Sequence, residues 1–152
     1  MADTHLYFAY GSNLSRSQMA IRCPGSSCLD AAVLHGYRLD FTTDSGTWGG
    51  GVADVVEDGG NSVWGLLYSV TDDDLNRLDY YEGFPTKYDR IRATVEQDQG
   101  SVEDVWVYVV VDKRDFIQPS LRYLDIITSA TEEFEFPAKY RQYLDSIETT
   151  ES

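Results

Sequence analysis

A short apolar segment that ends abruptly at a glycine constrains this chain more than any other feature. Residues Leu6 to Tyr10 are apolar or aromatic, and Gly11, Ser12 and Asn13 follow directly. The pattern predicts a short buried strand and then a tight turn. Because a small helix is expected from Ser15, the backbone amides of the turn should converge on one concave spot. Such a turn either cradles an anion or a carbonyl group, or simply connects a strand to a helix.

The length of 152 residues favours one domain with one core. We expect this domain to span residues 1–148 and a flexible acidic tail to span residues 149–152. No apolar run reaches the ~18 residues of a membrane span, and the segment Met1 to Thr4 does not resemble a signal peptide. The sequence therefore predicts a cytoplasmic protein without a membrane partner.

The charge of the chain excludes some partners. Acidic residues number 26 against 12 basic ones, which gives a net charge of -14. Nucleic acids and anionic membranes would be repelled, and the acidic surface suggests adaptation to high salt. Cys23 and Cys28, with only His5 and His35 elsewhere, do not form a convincing zinc site. We expect inert thiols or a local disulfide, and neither a metal nor an organic cofactor.

A second informative segment predicts a helix that carries a glutamate on its apolar side. Thr71 and Asp74 resemble a capping box, so the helix should begin there. Leu75, Leu78 and Glu82 are spaced to lie on one face, and the glycine after Glu82 is placed to end the helix. A glutamate on a core-facing stripe is unusual unless it has a partner or a task.

The position of Glu82 suggests proton transfer. The negative end of the helix dipole, acid-rich surroundings and partial desolvation should all raise the pKa of its carboxyl group. A carboxyl group tuned in this way can accept a proton near neutral pH and return it. Alternatively, the end of the helix frays and Glu82 faces water.

The remaining segments predict a mixture of strands and helices. Residues 31–43 alternate as a strand with a bulge at Gly36, and His35 is interpreted as a structural residue on that strand. Asp58 to Asn61 is predicted to form a hairpin between two strands. The other predicted elements are a strand pair over 88–97 and 102–111, fully buried from 106 to 111, and helices over 121–130 and 138–147. Together they indicate an α+β domain with a small mixed, curved or barrel-like sheet and flanking helices.

A run of three glycines, Gly49 to Gly51, follows Trp48. It is either a flexible linker or a point where the backbone closely approaches a ligand or another strand. Trp48 beside it suggests the wall of a pocket.

Four segments together resemble the gamma-glutamylcyclotransferase family and its AIG2-like relatives. They are Tyr10 to Leu14, Trp48 to Ala53, Val63 to Tyr68 and Leu78 to Gly83, and their order and spacing match as well. The match continues through Tyr88, Tyr108 and Pro119 to Tyr123 into the last helix.

The resemblance implies an enzyme that converts a gamma-glutamyl amine or amino acid into 5-oxoproline and a free amine. It implies Glu82 as the catalytic acid and base, with no cofactor. The small-molecule substrate would be bound by the turn, by the glycine run and by aromatic pocket walls: Tyr10, Gly11, Ser12, Asn13, Leu14, Gly50, Tyr88, Tyr108 and Tyr123. Each tyrosine, taken alone, is more often a packing residue of the core or the surface than a pocket residue.

Two other functions remain open from the sequence. The same fold could bind gamma-glutamyl groups without turning them over, or it could be an acidic protein-interaction module. The sequence leaves open the identity of the leaving amine and whether the protein is a monomer or a homodimer.

Overall fold

The computed structural model describes residues 3–150, which form a closed five-stranded barrel with four α-helices. The strands are β1 (Thr4–Ala9), β2 (Ser27–Ser45), β3 (Gly50–Thr71), β4 (Tyr88–Gln97) and β5 (Gly100–Val110). Around the barrel their order is β1-β3-β2-β4-β5, and β1 closes it by pairing in parallel with β5. The other neighbouring pairs are antiparallel. The predicted α+β class with a mixed, barrel-like sheet is confirmed.

The helices are α1 (Arg16–Arg22), α2 (Asp72–Glu82), α3 (Leu121–Glu133) and α4 (Ala138–Asp145). A 3₁₀ turn over Ser12–Leu14 precedes α1. Within residues 3–150, no helix is both long and apolar enough to cross a membrane.

Helix α2 begins and ends as the sequence predicts. The Thr71 hydroxyl accepts from the Asp74 amide, and the Asp74 carboxylate accepts from the Thr71 amide, so both halves of the capping box form. Gly83 ends the helix in the left-handed conformation, with φ 70° and ψ 36°. Leu75 and Leu78 are buried, which places Glu82 at the end of the face that packs on the barrel.

The predicted hairpin at Asp58 to Asn61 is wrong. Strand β3 continues through these residues, because Glu57 pairs with Tyr37 and Ser62 pairs with His35 of the same neighbouring strand. The four residues therefore form a bulge opposite Gly36, where the predicted irregularity of β2 is confirmed by a φ of 84°.

The hairpin between β2 and β3 instead lies at residues 46–49 and ends at the first glycine of the run. Gly49 adopts a φ of 76°, and its amide donates to the Ser45 carbonyl at 2.9 Å. Gly51 then donates to the Gln118 carbonyl at 2.9 Å. A Cβ atom at Gly51 would lie 2.0 Å from the Ile117 carbonyl oxygen, so close approach to another chain segment explains the glycine, and a flexible linker does not.

Three smaller expectations also change. The segment 106–111 is not fully buried, because Trp106 and Val109 are only half-buried and Val111 is exposed beyond the strand end. In α3 the buried stripe includes Tyr123, while Leu121 is exposed. Helix α4 ends at Asp145. Cys23 and Cys28 are both free thiols.

The predicted acidic tail lies partly outside the described residues, because 151 and 152 are not described. Within the described part, the Thr150 amide donates to the Pro119 carbonyl at 3.0 Å, next to the start of α3. The boundary predicted at residue 148 stays a prediction.

Candidate active site

A small cavity lies among the turn after β1, the start of β3, the end of α2 and the strand β5. Its volume is about 100 Å³, well below the ~300–1,000 Å³ typical of pockets for drug-sized ligands. The cavity therefore suits a small polar group. It is lined by Tyr7, Tyr10, Gly11, Ser12, Asn13, Arg22, Ser45, Trp48, Val52, Ala53, Tyr81, Glu82, Lys87, Tyr88, Tyr108 and Tyr123.

Glu82 is half-buried in the wall of this cavity at the last residue of α2. Burial raises the pKa of its carboxyl group to about 7, although Arg22 and Lys87 act in the opposite direction. The raised pKa agrees with the expectation from the sequence, but its cause differs in part. Desolvation is responsible, and the charges that act on Glu82 most strongly are cations rather than the acid-rich surroundings that we expected.

The turn after β1 presents part of its backbone to the cavity. The amides of Leu14 and Ser15 are used within the turn, where they donate to Gly11 and Ser12 carbonyls at 3.0 Å. The Ser12 amide donates to the Tyr123 hydroxyl, so the amides of Gly11 and Asn13 are the candidate donors to a ligand. Gly11 must lack a side chain here, because a Cβ atom would lie 2.8 Å from the Tyr123 hydroxyl.

All four tyrosines that were singled out from the sequence line the cavity with Glu82. Their hydroxyl groups are also hydrogen-bonded to the protein. Tyr10 donates to the Tyr108 carbonyl and Tyr88 donates to the Ala53 carbonyl, both at 2.7 Å. Tyr123 accepts from the Ala53 amide at 2.9 Å. Burial raises the pKa of all four, so these hydroxyls stay protonated at neutral pH.

Two predicted binding residues are not brought into the cavity. Leu14 is buried in the hydrophobic core. Gly50 instead faces the segment before α3, where a Cβ atom would lie 2.7 Å from the Gln118 carbonyl oxygen. Trp48, which precedes the glycine run, does line the cavity and packs edge-on against Tyr123 at 5.3 Å between ring centroids.

Sequence reasoning missed several residues of the site. Tyr7 lines the cavity and accepts from the Asn13 side-chain amide at 2.9 Å. Arg22 and Lys87 bring positive charge to the cavity of a strongly acidic protein. Arg22 could have been found as the basic residue in the last turn of the helix that follows the glycine turn. Lys87 had no comparable signal, because only the folded chain places it beside Glu82.

The residues that meet here suit an amino-acid-like ligand. Arg22 and Lys87 can attract a carboxylate, the turn amides can hold an oxygen atom, and Glu82 can exchange a proton. Within residues 3–150, no group of three or more His, Cys, Asp or Glu side chains is placed to bind a metal ion.

A closed mixed barrel whose cavity combines a carboxyl group of raised pKa, two cationic side chains and a glycine turn defines a candidate enzyme site. A model of the family described as gamma-glutamyl cyclotransferase, AIG2-like, matches residues 7–129. The chain belongs to this family, and the resemblance seen in the sequence is confirmed.

Individual relatives agree with the family model. Gamma-glutamylcyclotransferases of Bos taurus and Homo sapiens are each 32% identical to the chain over 151 residues, which cover 96% of this chain and 80% of each relative. A solved structure described as gamma-glutamyl cyclotransferase superposes with a TM-score of 0.91 at 30% identity, covering 99% of this chain and 91% of that one.

Proposed function

We propose that this protein is a gamma-glutamylcyclotransferase that converts a small gamma-glutamyl amine or amino acid into 5-oxoproline and a free amine. One observation carries the proposal: the Glu82 carboxyl group, with a pKa raised to about 7, shares one small cavity with the glycine turn after β1. Similarity to gamma-glutamylcyclotransferases over nearly the whole chain supports the same reaction.

The reaction needs a proton carrier and no enzyme nucleophile. The alpha-ammonium of the substrate gives a proton to the Glu82 carboxylate, and the freed amine attacks the gamma-carbonyl carbon of the same molecule. A new C–N bond closes the five-membered lactam, and the attacking nitrogen then releases its second proton to solvent. The bond to the leaving nitrogen then breaks as Glu82 returns the proton to that nitrogen. Such acid and base catalysis commonly contributes ~10²–10⁴-fold in rate.

The cavity supplies the other requirements of ring closure. Amides of Gly11 and Asn13 would stabilise the oxyanion that develops on the gamma-carbonyl, a contribution of roughly 3–4 kcal/mol for one well-placed donor. The small volume would hold the glutamyl chain in a folded shape, which brings the amine close to the carbonyl carbon. Arg22, whose guanidinium donates to the Asn13 side chain at 3.2 Å, lies where it can pair with the alpha-carboxylate.

The decisive test is Glu82→Gln, assayed for 5-oxoproline release from gamma-glutamyl-alanine by mass spectrometry. We expect the variant to fold and bind substrate, yet to lose at least ~10²-fold in kcat because the amide cannot carry the proton. Glu132→Gln, on the exposed side of α3, makes the same change away from the cavity and should retain full activity. Unchanged turnover in Glu82→Gln would refute the role of Glu82. If wild-type protein binds the substrate but releases no 5-oxoproline, the chain is a binding module instead.

A further inference from the structure

Six tyrosines line the cavity, and the five other than Tyr81 differ in which way their hydroxyl protons must point. Tyr10, Tyr88 and Tyr108 are bonded to a carbonyl or a carboxylate, which can only accept a hydrogen bond. These three hydroxyls therefore donate their protons to acceptors of the protein, and towards a ligand they can only accept a hydrogen bond. Tyr7 and Tyr123 are bonded to amide N–H groups, so each still has a proton to donate.

Tyr7 keeps a free proton only if the NH₂ end of the Asn13 side chain faces it. The other hydrogen-bond partners of Asn13 fix this orientation. The Asn13 side-chain oxygen faces the Arg22 guanidinium at 3.2 Å and the Gln18 side-chain amide at 2.9 Å. A guanidinium cannot accept a hydrogen bond, so the oxygen of Asn13 must face Arg22. Its NH₂ group then faces Tyr7, which keeps the Tyr7 proton free.

An ion pair outside the cavity lining, Asp79 and Arg90, fixes the direction in which the Tyr108 hydroxyl proton points. Its hydroxyl donates to an Asp79 carboxylate oxygen at 2.7 Å. Arg90 grips the same carboxylate with two hydrogen bonds, at 2.9 and 3.2 Å, and its guanidinium lies 4.7 Å from the ring centre of Phe84 and 4.2 Å from that of Trp106. Only 17% of each charged side chain is exposed, so the pair is largely shielded from solvent.

The position of Asp79 connects this pair to the reacting groups. Asp79 lies one helical turn before Glu82 on α2, and Tyr108 lines the cavity together with Glu82. A hydroxyl that offers only lone pairs next to a proton-accepting carboxylate is suited to hold an ammonium group. In the proposed reaction, that group is the alpha-ammonium that gives its proton to Glu82.

We propose that Asp79 is a positioning residue that fixes the Tyr108 hydroxyl as a hydrogen-bond acceptor for the substrate's alpha-ammonium. This inference rests on the proposed function and assigns a task to a residue that does not touch the substrate. Replacing Asp79 with asparagine puts an NH₂ group in place of one of the two oxygens that Tyr108 and Arg90 share. That group can donate to the hydroxyl and turn the Tyr108 proton into the cavity, towards a cation.

A double-mutant cycle tests whether Asp79 acts through the Tyr108 hydroxyl. In the wild-type background, Asp79→Asn should lower kcat/KM for gamma-glutamyl-alanine by about 10- to 100-fold. In the Tyr108→Phe background, which lacks the hydroxyl, the same change should cost less than about 3-fold. Equal losses in both backgrounds would overturn the proposal, because an effect of Asp79 that runs only through Arg90 is independent of the Tyr108 hydroxyl.

A measurement of ligand affinity tests the inference independently of the reaction. In the Glu82→Gln background, calorimetry compares gamma-glutamyl-alanine with N-glutaryl-alanine, which lacks the alpha-amino group. Asp79→Asn should weaken the first ligand by about 10-fold and leave the second within about 2-fold. Equal weakening of both ligands contradicts the proposal. If wild-type protein releases no 5-oxoproline but this selectivity is present, the proposed reaction fails while the role of Asp79 stands.

Asp79→Asn leaves Arg90 without a full negative partner and could impair folding. Thermal unfolding of each variant therefore accompanies the cycle. Arg90→Lys provides a second route, because it keeps the charge but loses the two-point grip on Asp79. It should reduce kcat/KM more in the wild-type background than in Tyr108→Phe, and equal losses would again contradict the proposal.

Discussion

The pKa of Glu82 results from competition between burial and two cations. Burial raises it to about 7, while Arg22 and Lys87 lower it. Because desolvation wins, part of the population carries a proton near neutral pH and part does not. Both forms are needed if one group is to accept a proton early in the reaction and return it later.

Removing one cation should therefore shift the pH dependence of the reaction. In Lys87→Gln, the Glu82 carboxylate loses an attractive charge, its pKa rises further, and less of the base is ionised at any given pH. We expect the acid limb of the kcat/KM profile to move to higher pH by up to about one unit. Lys139→Gln, on the exposed side of α4, is the matched control. An acid limb that stays in place or moves to lower pH would show that Lys87 does not act on Glu82.

Glu82 should also lower the stability of the folded protein at neutral and alkaline pH. Its folded pKa of about 7 exceeds the ordinary value of 4.5, so the folded state holds its proton more tightly than the unfolded state. The resulting penalty is absent below about pH 4.5, grows between 4.5 and 7, and is complete above 7. Glu82→Gln removes it, and we expect a gain on the order of 1 to 3 kcal/mol at pH 8 after allowance for solvent screening. Urea unfolding at pH 8 and pH 5 measures the difference. A variant less stable than wild type at pH 8 contradicts this account.

At the scale of single residues, the sequence predicted those site residues that are marked by a pattern among their immediate neighbours. Glu82 follows two buried leucines at helical spacing, and Gly11 ends an apolar strand, so both could be singled out. Lys87 and Asp79 could not, because their roles depend on which strands lie beside the end of α2. Leu14 was predicted to bind substrate because it continues the turn motif, yet its side chain packs in the core.

At the scale of secondary-structure elements, α2 connects a helix cap to the position of the catalytic candidate. Its first turn is held by the reciprocal hydrogen bonds of Thr71 and Asp74. Thr71→Ala should lower the free energy of unfolding by about 1 kcal/mol, the usual cost of losing such a cap. Thr71→Ser retains the hydroxyl and should recover most of the loss. Denaturant unfolding of the three proteins provides the measurement, and equal losses in both variants would show that the hydroxyl is unimportant.

The strands show where local sequence fails to determine an element. Asp58 to Asn61 has the composition of a hairpin turn, and the same composition permits a bulge. The choice depends on β2, which runs past the bulge and pairs with β3 on both sides of it. Helix starts were predictable because their signals lie within a few residues. Strand partners were not, because pairing joins distant parts of the chain.

At the scale of the whole molecule, the charge of -14 should make stability depend on salt. Repulsion among the acidic groups opposes the compact state, and added ions screen it. We expect the thermal midpoint at pH 7.5 to rise as KCl increases from 0.1 to 2 M. Near pH 4.3, the calculated isoelectric point, the rise should shrink because the net charge approaches zero. A flat response at pH 7.5 would end the hypothesis of adaptation to high salt.

The parallel contact between β1 and β5 joins Leu6 to Val105 and Tyr7 to Trp106. Tyr7 enters the cavity from one side of this seam, and Tyr108 enters it from the strand on the other. If β1 and β5 were not paired, the cavity would lack one wall even with α2 and Glu82 in place. Turnover during refolding should therefore begin only once this seam has closed, and its onset would report the closure.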